Sequence, residues 1–216
     1  MNRKLLFIIL TVLLIISASL VFYMTAVAIG KEKGYLIGMA FYWFFWCLGV
    51  PVLVKRKSII YFLKNERSLF IKNNWWVIIL FFSTIIIPIF MYNTISYLLI
   101  KPLVLFLIAI PVAIISGTCE ELFWRGLFIK EFPDSIAWGI IIPSLFFSLF
   151  HFAPQLAIPH PNKILFVLLT FPLGLTNGII AYKTKSAKWS AVSHSIGGIM
   201  AFGGPAALCL YRLLYK

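Results

Sequence analysis

Pro111-Val-Ala-Ile-Ile-Ser-Gly-Thr-Cys-Glu-Glu-Leu-Phe-Trp-Arg125 sets two adjacent acids, Glu120 and Glu121, in a run of membrane-grade hydrophobicity, with an arginine one helical turn further on. An ionisable side chain within an apolar span costs on the order of 2.5 to 3.5 kcal/mol on insertion scales, so an intramembrane acid marks a functional site by default. The chain holds only six acidic residues, and two of them stand here.

Around this stretch the composition is 62% hydrophobic, 17% aromatic and 12% charged over 216 residues. With a mean hydropathy of +1.01, these values exclude an ordinary soluble domain. Apolar runs of about 17 to 25 residues, enough to cross a hydrocarbon core of roughly 30 Å, recur along the chain. The first, from Leu5 to about Ile29, is too long for a signal-peptide core, and no small-residue cleavage pattern closes it.

The pattern predicts an all-α, polytopic membrane helical bundle, a single transmembrane domain over 1–216 with about eight transmembrane helices. Their expected limits are roughly 4–29, 35–54, 74–99, 102–131, 136–155, 163–183, 187–202 and 204–215. The last two could form one helix broken at Gly203-Gly204-Pro205. The fourth exceeds one crossing, so it either tilts or carries an amphipathic extension, from Leu122 to Phe132, along the surface.

With eight spans, basic residues favour both termini inside. Fifteen of the nineteen, including the six of loop 55–73, fall on the inner side, and Lys31, Lys33, Lys101 and Lys163 on the outer. The net charge of +13 therefore flanks spans and does not form a nucleic-acid stripe, which excludes a nucleic-acid partner and leaves membrane lipid as the expected neighbour. The loop from Lys55 to Lys64 mixes apolar and basic residues in a way that suits a helix on an anionic inner leaflet. Cys47, Cys119 and Cys209 are odd in number and set among apolar neighbours, which argues for packing and against a disulfide framework.

The polar residues expected within spans are Glu120, Glu121, Arg125, His151, Asn177 and His194. His160, between Pro159 and Pro161, falls in an outer loop and receives no catalytic role. If the fourth and fifth helices are antiparallel about the turn at Phe132–Ser135, Glu120 and His151 differ in height by roughly 6 Å, about one helical turn, and can meet. His194 lies about 12 Å beyond the turn at Lys185-Ser186, nearer the inner surface. Neighbouring residues point about 100° apart, so Glu121 pairs with Arg125 at i,i+4 while Glu120 is left over. An unpaired buried carboxyl suits general-base work, whereas all three charges in one ion network would merely fix the helix.

Glu120-Glu121-Leu-Phe-Trp-Arg125 fits EExxxR, Phe147-Ser-Leu-Phe-His151 fits FxxxH, and His194 stands where a third motif, HxxxN or HxxxD, is expected. Together they resemble the CPBP family, the CAAX protease and bacteriocin-processing (Abi) group of intramembrane peptidases, over a core of roughly residues 103–205. The resemblance implies an endopeptidase with Glu120, His151 and His194 as catalytic residues and Glu121, Arg125 and Phe147 in support. Glu120 would activate a water with help from His151. His194 and the residue four later would stabilise the oxyanion, a contribution of about 2.7 to 4 kcal/mol where single donors have been deleted. Metal use stays open at the family level: Glu120, His151 and His194 are the residues that would ligate a divalent ion such as zinc, yet no HExxH occurs.

One departure stands out, because the position four after His194 is Gly198, which has no side-chain donor. Asn177, Ser193 and Ser195 are the candidate substitutes, and Gly197-Gly198 could instead permit close backbone approach by substrate or a neighbouring helix. A catalytically reduced member acting as a membrane regulator or bacteriocin-immunity partner is therefore a second reading. A proton- or ion-conducting protein is a third, disfavoured by the lack of an internal repeat. The expected substrate is a membrane protein or peptide, and the expected setting a bacterial plasma membrane, where a leader peptide fits better than a prenylated protein.

Overall fold

The computed structural model describes residues 2–54, 74–91 and 94–215. Helix α1 (Arg3–Ile29) begins at Asn2, whose side chain accepts the Lys4 amide at 3.0 Å. It ends at Gly30, where φ of 93° is open to glycine. Helix α2 (Lys31–Val54) returns at once along α1. Within the expected span 74–99 the described residues form α3 (Trp76–Met91) and α4 (Thr94–Ile100). The amphipathic loop helix proposed for residues 55–64 lies outside the described residues.

Helix α5 (Leu103–Glu131) is the long central element, α6 (Ala137–Leu156) follows the Phe132–Ser135 turn, and α7 (Lys163–Thr184) ends on left-handed Lys185. Helix α8 (Lys188–Met200) and helix α9 (Gly204–Tyr215) are bent by 51° about the intervening residues. Phe202, Gly203 and Gly204 all have positive φ there. Five helices are individually long and apolar enough to cross a membrane, or six if α8 and α9 form one broken span, among the described residues. The expected total of about eight thus exceeds what length and composition show among the described residues alone. The difference arises because α3 is short and α8 and α9 qualify only together.

The extension of α5 is not a surface segment. Leu122 to Ile129 are all buried, so the helix continues into the bundle core, tightly enclosed by aromatic rings. Residues Leu122–Leu127 take π-helical spacing, a local widening often found beside functional groups. Trp124 Nε1 in this segment donates to Tyr42 Oη of α2 at 2.7 Å, and Tyr42 stacks on Phe150 of α6. That triple contact joins α2, α5 and α6.

Polarity runs inside out. Leu13, Leu20 and Val27 of α1 and Ile164 and Leu168 of α7 are exposed, while Glu121, Arg125 and Asn177 are almost fully buried. Such a distribution suits hydrocarbon as the surrounding solvent, and the chain is a multi-pass membrane protein. Cys47, Cys119 and Cys209 are buried and free.

Small residues let the central helices approach. A side chain at Gly117 of α5 would collide with Ser195 of α8, and one at Gly197 with the Thr84 carbonyl of α3. At Gly198 an added Cβ would stand 3.1 Å from Ala113 Cβ of α5. The double glycine therefore serves contact between helices, and α8 is held between α3 and α5.

Candidate active site

Glu121 is the ion-paired member of the acid pair. Its Oε1 lies 3.2 Å from Arg125 Nη1 within α5 and 3.0 Å from His194 Nδ1 of α8. Arg125 Nη2 also donates to the Gly174 carbonyl of α7 at 2.9 Å, so one guanidinium ties α5 to α7. The guanidinium rests 4.7 Å from the Phe147 ring centroid of α6. Phe147 in turn presents its ring edge-on to His151 at 4.7 Å and to His194 at 6.1 Å. The FxxxH phenylalanine is thus the apolar hub between the ion pair and both histidines.

Glu120 points elsewhere. Its Oε1 accepts the Ser116 hydroxyl at 2.7 Å, and its Oε2 stands 3.9 Å from His194 Nε2. The sequence paired Glu120 with His151 and left the convergence of His194 open. In the fold His194 is the histidine near both acids, because the close α5–α8 packing brings its ring between them. His151 Nδ1 contacts the Phe147 carbonyl at 2.8 Å. A carbonyl can only accept, so Nδ1 carries a proton, and in the neutral ring Nε2 keeps its lone pair.

Glu120, His151 and His194 line one cavity of about 470 Å³, together with Ser116, aromatic residues and the kinked segment from Ala201 to Ala206. His160, set apart in the sequence, lines it too. Gly198, Asn177, Ser193 and Ser195 do not. Ser193 donates to Asn177 Oδ1 at 2.9 Å, and Ser195 faces Gly117, so neither these two nor Asn177 replaces the donor that Gly198 lacks.

As for a metal, no three His, Cys, Asp or Glu side chains among the described residues converge as a ligand set. Glu120, His151 and His194 share the cavity without forming such a cluster.

Ser116, Gln155 and Gly174 are contacts that the sequence reading missed. Ser116 was detectable, since it lies four residues before Glu120 on the same helical stripe. Gln155, whose Nε2 donates to the His151 carbonyl at 2.8 Å, was signalled by an amide following an apolar span. Nothing in the chain pointed to the Gly174 carbonyl.

Fold and site define a polytopic membrane protein with a carboxylate and two histidines on one internal cavity. Residues 100–200, the stretch that holds Glu120, His151 and His194, match the family described as Rce1-like, Type II CAAX prenyl endopeptidase Rce1-like, so over that stretch the chain is similar to the CPBP family. This is a protease family whose members are embedded in membranes and act on peptides. No curated protein and no solved structure matches the chain.

Proposed function

We propose that the protein is an intramembrane endopeptidase of the CPBP type, with Glu120 as the group that activates water. The reading is carried by one observation: Glu120, His151 and His194 line the same cavity. Glu120 Oε1 is held by Ser116, which leaves Oε2 to take a proton from water. His151 offers Nε2 as an acceptor for the same water. The hydroxide equivalent adds to the scissile carbonyl, and the proton held by Glu120 passes to the leaving amine. His194 donates Nδ1–H to Glu121, and as an imidazolium it would also donate Nε2–H to the developing oxyanion.

The substrate would be a membrane-associated protein or peptide, either a prenylated C-terminal segment or a leader peptide, in a bacterial plasma membrane. Both termini would lie inside. Supporting this, Arg3 pairs with Glu131 at 3.4 Å, Lys4 lies over Trp138, and Lys185 donates to the Pro133 carbonyl, which gathers several of the expected inner charges at one end.

Gly198 favours a second reading, a catalytically reduced member that acts as a membrane regulator or immunity partner. A side chain there would meet Ala113 Cβ at 3.1 Å, and Gly198 is not among the residues that line the cavity. One experiment separates the two. Glu120→Ala and His151→Ala are introduced separately, and cleavage of a membrane-proximal substrate is followed alongside protein accumulation. Abolished cleavage at normal accumulation supports the peptidase, while full complementation of a deletion by both variants supports the regulator.

A further inference from the structure

The cavity wall that follows His151 carries two polar groups for which hydrolysis has no use. Gln155 is 8% exposed and lines the cavity. Its Nε2 is committed to the His151 carbonyl at 2.8 Å, which fixes the amide orientation and leaves Oε1 as the free end. That oxygen is buried and has no partner. A buried acceptor without a donor is unfavourable, so its presence points to a donor that arrives with a ligand.

His160 supplies the complement. Its Nδ1 accepts the Asn162 amide at 3.1 Å, so in the neutral ring the proton sits on Nε2. The ring stacks on Phe166 at 4.8 Å, and Pro159 and Pro161 restrict the backbone on either side. His160 is exposed and lines the same cavity, so a ring held by the Asn162 amide and Phe166 brings an N–H donor to its wall.

An acceptor and a donor on one short segment match the alternating N–H and C=O groups of an extended peptide, which repeat every ~3.3 Å. The remaining lining, with Met39, Trp43, Phe150 and Phe166, suits apolar side chains. We propose that Gln155 and His160 are positioning residues that read the substrate main chain, Gln155 Oε1 accepting a peptide N–H and His160 Nε2 donating to a peptide carbonyl. The ligand class is an extended peptide with apolar side chains, and this assignment rests on the peptidase reading above.

The test uses the full-length protein in nanodiscs with a fluorogenic farnesylated CAAX peptide, assayed for cleavage, and for binding by anisotropy on a Glu120→Gln background. His160→Phe keeps the stack on Phe166 and removes the N–H, and Gln155→Met removes the free oxygen at similar length. Each is expected to raise KM and the anisotropy Kd by about tenfold, the size of one hydrogen bond, with kcat within about twofold. A series of singly N-methylated peptides adds a readout that a structural role would not move. One position should weaken binding to Gln155 protein while leaving Gln155→Met binding unchanged.

Unchanged KM and Kd in both variants overturns the proposal. So does a fall in kcat at constant KM, which would place these residues in the chemistry. Failure of the peptidase reading shows separately, as cleavage that persists in Glu120→Gln.

Discussion

His194 turns Nδ1 to Glu121 Oε1 at 3.0 Å, on the carboxylate oxygen that also meets Arg125 at 3.2 Å. The second acid of the pair thereby fixes the histidine that stands 3.9 Å from the first. Ion pair and candidate active site form one connected unit.

Removing one partner of a buried ion pair strands the other charge. Arg125→Met should destabilise the protein by about 3 to 5 kcal/mol, measured by detergent-titrated unfolding followed by tryptophan fluorescence. The double variant Glu121→Gln/Arg125→Met should recover part of that loss, since no lone charge remains. A single variant as stable as the parent would mean that Glu121 is not an ion in the folded state.

Phe147 touches the guanidinium and both histidine rings. Phe147→Ala is expected to cost about 3 to 5 kcal/mol by the same unfolding assay and to abolish cleavage. Phe147→Leu should restore most of the stability and little of the activity, because a branched aliphatic fills volume without bracing two flat rings. Equal recovery of both would reduce Phe147 to a filler of space.

A Cβ at residue 198 would stand 3.1 Å from Ala113 Cβ, close enough that one helix must give by a few tenths of an ångström. Gly198→Ala should cost about 1 to 3 kcal/mol through overpacking, and Ala113→Gly in the same chain should return a large part of it. A double-mutant cycle on unfolding free energies measures the coupling. Strict additivity would show that the two positions do not meet.

Tyr42 gives its hydroxyl oxygen to the buried Trp124 indole. Tyr42→Phe leaves that N–H without an acceptor and should cost about 1 to 3 kcal/mol. Unfolding midpoints of the variant and the parent check this, and no shift would show that Trp124 finds another partner.

The spans α1, α5 and α7 are legible in the sequence because hydrocarbon demands long apolar runs, and their expected limits differ from the observed ones by few residues. The Glu121–Arg125 pair is equally legible, since helical spacing alone brings i and i+4 together. What spacing could not supply is which helix lies against α5. Height along the bundle relates α5 only to its neighbour in sequence, α6, and so brings His151 but not His194 to the level of Glu120. The contact with α8 depends on Gly117, Gly197 and Gly198, whose value shows only when the second helix is in place. The buried end of α5 was misjudged for a related reason: Lys130 and Glu131 look like a surface edge, but α1, α2 and α6 enclose the preceding turn.

The break between α8 and α9 has a meaning beyond architecture. Backbone that leaves helical hydrogen bonding is tolerated at membrane depth only where it is enclosed by protein or bathed by solvent, and the left-handed run from Phe202 to Gly204 borders the cavity. The proposed hydrolysis would consume water in surroundings that exclude it. The kink marks a wall of the bundle that need not be oily, and so the place where a reservoir for the reaction can stand.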